Sequence, residues 1–191
     1  MSNARSDFAQ AMHRLAAYQY LAGLFDGQTV LEVGCGGGDG LRQLWALGAR
    51  LVVGLDRSVG RAQSAVTALE EQVVVRAIRL PRLGLGEAQF ERVVVSDARW
   101  LVQYPTLMDE LEACLAPGGW LVLRAESGDH PDVADGVSYG DLLDLVEERF
   151  ATVHVLGQSS FIGYSVVELG AEAEPEVVLD GRLMGGDVEE V

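Results

Sequence analysis

The feature that most constrains the fold is a short apolar segment followed at once by a run of glycines. Residues 29–33 read TVLEV, and the next residues read GCGGGDG. A run of aliphatic and β-branched residues of this length is typical of a strand buried on both faces. Gly34, Gly36 and Gly38 remove Cβ atoms where a ligand touches backbone, and a helix over 40–48 would point its free N–H groups at that ligand. The segment therefore predicts a strand, a binding loop and a helix in succession.

Strand and helix patterns then alternate along most of the chain. We predict strands at residues 29–33, 51–55, 73–78, 91–96 and 120–125, and helices at residues 7–25, 40–48, 58–70, 106–115 and 138–149. Alternation predicts a parallel sheet with helices on both faces. Residues 151–157 and 161–169 lie too close together for a parallel crossover, so they predict a closing hairpin. The predicted fold class is α/β: a doubly wound, mostly parallel seven-stranded sheet with an antiparallel C-terminal hairpin and helices on both faces.

Two helix starts carry the sequence of a capping box. In this motif a hydroxyl residue at the N-cap accepts the backbone N–H of an acid or amide residue three positions later, whose side chain reaches back. Thr106 and Asp109 predict one such start, and Ser138 and Asp141 predict another. We expect both hydroxyl side chains to accept the N–H of their acid.

The charges around the glycine run indicate what kind of ligand it binds. Ligands of doubly wound sheets lie at the carboxyl ends of the strands. A dinucleotide fingerprint would place its third glycine at the position of Asp39, and a carboxylate there is unfavourable beside a pyrophosphate. Glu32 is a second acid at the same edge. Acids suit a cation, so the residues favour S-adenosylmethionine, with its sulfonium and ammonium groups, over a nicotinamide dinucleotide.

Residues 30–38 resemble the first motif, E/D-x-G-x-G-x-G, of the class I S-adenosylmethionine-dependent methyltransferases, a Rossmann-like family. Asp56, at the end of the second predicted strand, matches the acid with which that family binds both ribose hydroxyls. A carboxylate can accept two such bonds at once. Residues 115–123 resemble the family's turn into its fifth strand, and the closing hairpin resembles its antiparallel seventh strand. The resemblance covers residues 7–170.

The resemblance implies a set of cofactor contacts. The glycines would approach the methionine part and the ribose, Glu32 would hold the amino group, and Arg57 would flank the adenine. Tyr18 or Tyr20 on the opening helix would close over the ligand's carboxylate, unless they pack in the core. The implied cofactor-binding residues are Glu32, Gly34, Cys35, Gly36, Gly38, Asp56, Arg57, Ile78 and Ser96.

The chain departs from the family pattern at the end of the third predicted strand. Many members place an acid there, where it meets the adenine amino group. Ala77 and Ile78 hold that position in this chain, so backbone groups would have to bind the adenine.

Catalytic residues are weakly marked, because positioning supplies most of the acceleration of an in-line methyl transfer. The candidates are Asp97 and His130. Asp97 would either orient an acceptor or cap its own loop. His130 would act as a base near neutral pH or lie unengaged in an exposed loop.

Composition limits the compartment and the partners. The formal net charge is −15 with 14 Lys plus Arg, and binding to phosphate backbones requires a basic patch, so nucleic acid is not expected as a partner. No apolar run approaches the roughly 18 residues of a membrane span, and the first residues lack a secretory pattern. Cys35 and Cys114 provide neither a disulfide framework nor a metal site. We expect a cytoplasmic protein without a metal.

The chain divides into two predicted parts. Residues 1–170 form the Rossmann-like domain with its N-terminal helix, and residues 171–191 form an acidic tail or linker with seven acids and one base. A charge run of this kind is typical of a solvated segment, and it is where we expect any protein partner to bind.

The predicted function is S-adenosylmethionine-dependent methyl transfer, with S-adenosylhomocysteine as product, to an unidentified small-molecule or protein acceptor. Acids after the fifth predicted strand favour a cationic or polar acceptor: Glu126, Asp129, Asp132 and Asp135. The alternative is a catalytically degenerate module of the same fold that acts through protein partners, which the missing third-strand acid and the tail would suit.

Overall fold

The strand that precedes the glycine run lies at the centre of the sheet. The computed structural model describes residues 14–58, 60, 73–128, 135–158, 164–165 and 177–178. Its strands are β1 (Thr29–Val33), β2 (Leu51–Asp56), β3 (Val73–Ala77), β4 (Phe90–Val95), β5 (Leu115–Leu123), β6 (Tyr164–Ser165) and β7 (Val177–Val178). Its helices are α1 (residues 14–20), a 3-10 turn (Ala22–Leu24), α2 (Asp39–Ala46), α3 (Arg99–Gln103), α4 (Thr106–Cys114) and α5 (Tyr139–Val146).

Strands β1 to β5 form one sheet in the order β3-β2-β1-β4-β5, and every pairing in it is parallel. Val33, the last residue of β1, lies beside Leu55 of β2 and Val95 of β4. The chain runs outward from β1 to β3 and then returns to the other side of β1 as β4. Doubly wound sheets bind ligands at such a reversal, so the fold places the loops after β1, β2 and β4 around one site.

Alternate residues of β1 face two hydrophobic cores. Val30 packs in a cluster with Tyr18 of α1 and Leu41 of α2. Leu31 faces the other way, into a cluster that contains Leu107 of α4. Burial of each such aliphatic side chain stabilises the fold by about 1.5–3 kcal/mol. Helices therefore cover both faces of a parallel sheet, which confirms the predicted α/β class.

The sheet has five strands in the described part of the chain, so the prediction of seven strands with a closing antiparallel hairpin is wrong. Residues 152–157 form no strand, and Val153, Val155 and Leu156 are exposed. β6 pairs antiparallel with β7 in a separate two-stranded sheet. Alternating polarity favours extended backbone, but a strand also needs a partner, and the pattern of one segment does not specify which segment pairs with it.

Some predictions fall on residues outside those the structure describes. Most of the helix at 58–70 does so, although Gly60 is helical. The start of the opening helix, residues 7–13, does so as well. The boundary at residue 170 stays a prediction, and β7 lies beyond it.

The two predicted capping boxes differ in outcome. Ser138 is the N-cap of α5, and its hydroxyl accepts the N–H of Asp141 at 3.1 Å, as predicted. Thr106 caps nothing, because Pro105 is the N-cap of α4 and already has helical backbone angles. The helix therefore begins at Thr106, the first residue of the predicted range, but its N-cap is one residue earlier than the capping box indicated, and Thr106 lies in the first turn.

The described residues form neither a metal centre nor a membrane span. They contain no group of three or more His, Cys, Asp or Glu side chains that could hold a metal ion. No helix among them is long and apolar enough to cross a membrane. Cys35 and Cys114 are buried and free, and burial raises the pKa of each thiol to about 12.

Candidate functional site

The loop after β1 is a tight turn of glycines with left-handed backbone. Gly34, Gly36 and Gly38 have φ values of 86°, 54° and 86°, which residues with a Cβ atom rarely adopt. Gly38 is also the N-cap of α2. A Cβ atom at Gly36 would meet no atom within 4 Å, so that side of the loop is open. The glycines thus form a turn with room for a ligand against its backbone.

Asp56, the last residue of β2, holds this loop. Its Oδ2 accepts a hydrogen bond from the N–H of Gly36 at 3.0 Å, and its Oδ1 accepts one from the N–H of Ser58 at 2.8 Å. The residue is only 5% exposed. Each carboxylate oxygen has a second lone pair, so both can also accept a hydroxyl of a ligand. The structure thus brings Asp56 and the glycine loop together.

Glu32 is a fully buried acid near the end of β1. Its Oε1 accepts hydrogen bonds from the hydroxyls of Tyr18 at 2.8 Å and Ser96 at 2.9 Å, and Arg14 Nη1 lies 3.8 Å away. Its Oε2 has no partner among the described residues. Burial raises the pKa of the Glu32 carboxyl, while Arg14, Tyr18 and Ser96 oppose that rise. One oxygen is therefore held by α1 and the loop after β4, and the other is unengaged.

The loops after β2 and β4 meet beside the glycine turn. A Cβ atom at Gly34 would lie 3.6 Å from Cβ of Ser96 and 3.7 Å from the ring of Trp100 in α3. The guanidinium of Arg57 lies over that ring, 4.8 Å from its centroid. This cation–π contact joins the loop after β2 to α3. Arg57 and Ser96 therefore lie at the predicted edge.

Ile78 and Cys35 turn their side chains into the protein. Ile78 packs in the core, and its N–H donates to the carbonyl of Asp56 at 2.9 Å. Cys35 is fully buried, and its N–H donates to the carbonyl of Leu55 at 3.1 Å. The side chains of both residues are buried and their N–H groups are already bonded, so only their backbone carbonyl groups could contact a ligand.

Of the two catalytic candidates, the structure describes Asp97. Its Oδ1 accepts from Nε of Arg99 at 2.8 Å, and its Oδ2 accepts from Nη2 at 2.7 Å. Its Oδ1 also accepts the backbone N–H of Arg99 at 3.1 Å, which is a loop-capping bond. Asp97 thus has a structural role in its loop, and a role toward an acceptor stays a prediction. His130 lies outside the described residues.

Sequence reasoning missed Arg14 and Trp100, and it left Tyr18 and Tyr20 as alternatives. The structure separates the tyrosines, since Tyr18 is 1% exposed and Tyr20 is 76% exposed. The helical spacing of apolar residues contained the signal for Tyr18, and Arg14 lies one turn before it on the same face. Trp100 carried no signal, because only the fold brings α3 beside Gly34.

S-adenosylmethionine fits the residues at this edge. The open glycine turn allows close approach to backbone, and the spare lone pairs of Asp56 match two ribose hydroxyls. The unengaged oxygen of Glu32 matches an ammonium group, directly or through a bridging water. The buried carboxylate of Glu32 beside the glycine turn disfavours the pyrophosphate of a dinucleotide. Fold and site together define an α/β protein for a cationic nucleoside cofactor.

The family comparison agrees with this assignment. Residues 31–123 match a family model described as a methyltransferase domain. The predicted resemblance to the class I S-adenosylmethionine-dependent methyltransferases is thereby confirmed, and the cofactor is S-adenosylmethionine. No curated protein matches the chain.

Solved structures share the fold. An S-adenosylmethionine-dependent methyltransferase from Mesorhizobium loti is 26% identical with a TM-score of 0.51, over 54% of this chain and 49% of that one. A methyltransferase of the same kind from Aquifex aeolicus is 18% identical with a TM-score of 0.62, over 70% and 77%. A complex of the Haloferax volcanii Trm112 methyltransferase activator with a protein described as a methyltransferase is also similar. The sequence identity is 20% and the TM-score is 0.63, over 77% of this chain and 72% of that one. This chain thus spans about half of the first of these proteins.

Proposed function

We propose that this chain transfers a methyl group from S-adenosylmethionine to a small-molecule or protein acceptor, in the manner of its family. The observation that carries the proposal is the buried carboxylate of Asp56, which hydrogen-bonds the glycine turn and keeps lone pairs for a ribose. The alternative, a degenerate module that acts through partners, has no observation in its favour among the described residues.

The proposed chemistry is mostly positioning. Bound S-adenosylmethionine supplies a methyl group on a positively charged sulfur. The lone pair of the acceptor forms the new bond to that carbon as the carbon–sulfur bond breaks, and the released pair stays on sulfur, which gives S-adenosylhomocysteine. Asp56 and the glycine turn fix the nucleoside end, and Glu32 holds the ammonium end, so the reacting carbon is presented in one orientation.

The proposed acceptor lies on the side of Asp97. Glu126 and Asp135 lie near enough to Arg99 to raise its pKa, so acids surround the guanidinium on this side. A cationic or polar acceptor suits this arrangement better than an anionic one. We also propose a cytoplasmic location and a protein partner. One structural neighbour is found in a complex with an activator protein, which is an observation on that neighbour.

Turnover tests the proposal. The chain is incubated with S-adenosylmethionine and matched panels of basic and acidic small molecules and peptides, and formation of S-adenosylhomocysteine is measured. We expect acceptor-dependent product with the basic panel and none with Asp56→Ala. Binding of S-adenosylhomocysteine without turnover on any panel would favour the degenerate module, and preference for acidic acceptors would reject the assignment of acceptor charge.

A further inference from the structure

The Tyr18 hydroxyl lies where three elements of the site meet. It donates to Oε1 of Glu32 at 2.8 Å, and it lies 3.3 Å from the hydroxyl of Ser96, which donates to the same oxygen. The ring is 1% exposed and packs edge-to-face on Phe25, with centroids 5.9 Å apart. Burial holds the pKa of Tyr18 well above its ordinary value, so the hydroxyl stays a donor.

The acid that receives this bond has little freedom to move. A Cβ atom at Gly40 of α2 would lie 2.7 Å from Oε2 of Glu32, so the carboxylate lies directly against the backbone of that helix. Tyr18 approaches the carboxylate from α1, and Ser96 approaches it from the loop after β4. The position of Glu32 therefore depends on donors that are 14 and 64 residues away in the sequence.

We propose that Tyr18 is a positioning residue for cofactor binding, which acts through Glu32 and Ser96 rather than on the ligand itself. Its hydroxyl joins α1 to the end of β1 and to the loop after β4, and it keeps Glu32 in place and ionised for the ammonium group. The inference rests on the proposed function, because it assumes that Glu32 receives that group.

Glu32 must be ionised for this role, and its surroundings decide whether it is. Desolvation raises the pKa of its carboxyl, and the hydrogen bond from Tyr18 is among the effects that lower it. The groups that face it are Arg14 and Tyr18 on α1, Ser96 after β4, Arg124 after β5 and Cys35 in the glycine loop. Removal of the Tyr18 hydroxyl therefore raises the pKa of Glu32. As pH falls, the carboxylate is then protonated, and its affinity for a cationic group lost, at a higher pH than in the unmodified chain.

The test compares Tyr18→Phe with Tyr20→Phe, the same change on the exposed face of the same helix. The dissociation constant of S-adenosylhomocysteine is measured by calorimetry across pH for the full chain and both variants. We expect Tyr18→Phe to weaken binding about tenfold on the acid side, the loss of one hydrogen bond to a charged group. We also expect it to move the acid limb of the profile to higher pH, because the pKa of Glu32 rises. Tyr20→Phe should follow the unmodified chain.

A merely structural role would weaken binding equally at every pH, and that result would overturn the proposal, as would an unchanged profile. If Tyr18→Phe does not fold, Ser96→Ala removes the other donor to the same oxygen and should move the acid limb in the same direction. The Glu32 carboxyl resonance, titrated by NMR without ligand, separates the two possible failures. If the unmodified chain does not bind S-adenosylhomocysteine although Tyr18→Phe raises the pKa of Glu32, the proposed function is contradicted. If Tyr18→Phe leaves the pKa of Glu32 unchanged, the role of Tyr18 is contradicted.

Discussion

The cofactor half of the edge comprises the loops after β1 and β2, and the proposed acceptor half comprises residues 97–99, 124–128 and 135–138. In the cofactor half, the buried Asp56 accepts the backbone N–H of Gly36 in the glycine turn and that of Ser58 after β2. In the acceptor half, the charged pair of Asp97 and Arg99 has side chains that are 28% and 46% exposed. The acid of the first half is therefore buried and held by backbone donors, whereas the charged pair of the second half is partly solvated. A substitution should have a much larger effect in the first than in the second.

The largest expected effect is that of Asp56→Ala on affinity. It removes the acceptor for two loop N–H groups and for the ribose hydroxyls, so we expect S-adenosylhomocysteine to bind at least about a hundredfold more weakly. Asp97→Ala makes the same change in the acceptor half and should alter affinity less than about threefold. Calorimetry of both variants measures the contrast, and equal losses would refute it.

The next effect concerns packing under the glycine turn. A Cβ atom at Gly40 would overlap the carboxylate of Glu32, whereas one at Gly37 would meet nothing within 4 Å. We expect Gly40→Ala to lower the free energy of unfolding by about 1–3 kcal/mol and Gly37→Ala to change it by less than about 0.5 kcal/mol. Urea denaturation of the two variants compares them, and a neutral Gly40→Ala would mean that Glu32 is not held against α2.

A smaller effect is the pH dependence that Glu32 gives to stability. Burial raises its pKa above the ordinary value of 4.5, so the folded protein binds this proton more tightly than the unfolded chain does. The stability from this group is full below 4.5 and is lost as pH rises through the folded pKa. The unmodified chain should therefore lose stability relative to Glu32→Gln, which does not titrate, as pH rises above 4.5. Urea denaturation across pH measures the difference, and a relative gain would contradict it.

The smallest expected effect is that of Arg99→Ala. Its ion pair with Asp97 is partly exposed, and such pairs contribute about 0–1 kcal/mol. We expect the free energy of unfolding to change within that range, and salt to reduce the difference. A loss well above this range in thermal unfolding would show that the acceptor half is as rigid as the cofactor half.

The features of the fold and the site that the sequence could predict are those that depend on short segments of the chain. Gly34, Gly36 and Asp56 were predictable because each follows its own strand, and a parallel sheet brings strand ends to one edge. Ser138 was predictable because a capping box is closed within four residues. Local pattern was sufficient in each of these cases.

The remaining features depend on contacts between distant segments. Residues 151–157 have the alternation of a strand, but no pattern within them determines their partner. The bond from Tyr18 to Glu32 joins α1 to β1, and the contact of Arg57 with Trp100 joins the loop after β2 to α3. The identity of the methyl acceptor could not be predicted, because acceptor binding has no local sequence motif comparable to the glycine turn.

The most direct test of the central claim is thermal unfolding of the full chain with S-adenosylhomocysteine, and with NADH as the control ligand. A ligand that binds only the folded state at a hundred times its dissociation constant adds about 2.7 kcal/mol of stability. The account predicts a clear rise in the unfolding midpoint with S-adenosylhomocysteine, none with NADH, and loss of the rise in Asp56→Ala. No rise at millimolar S-adenosylhomocysteine, or an equal rise with NADH, would contradict it.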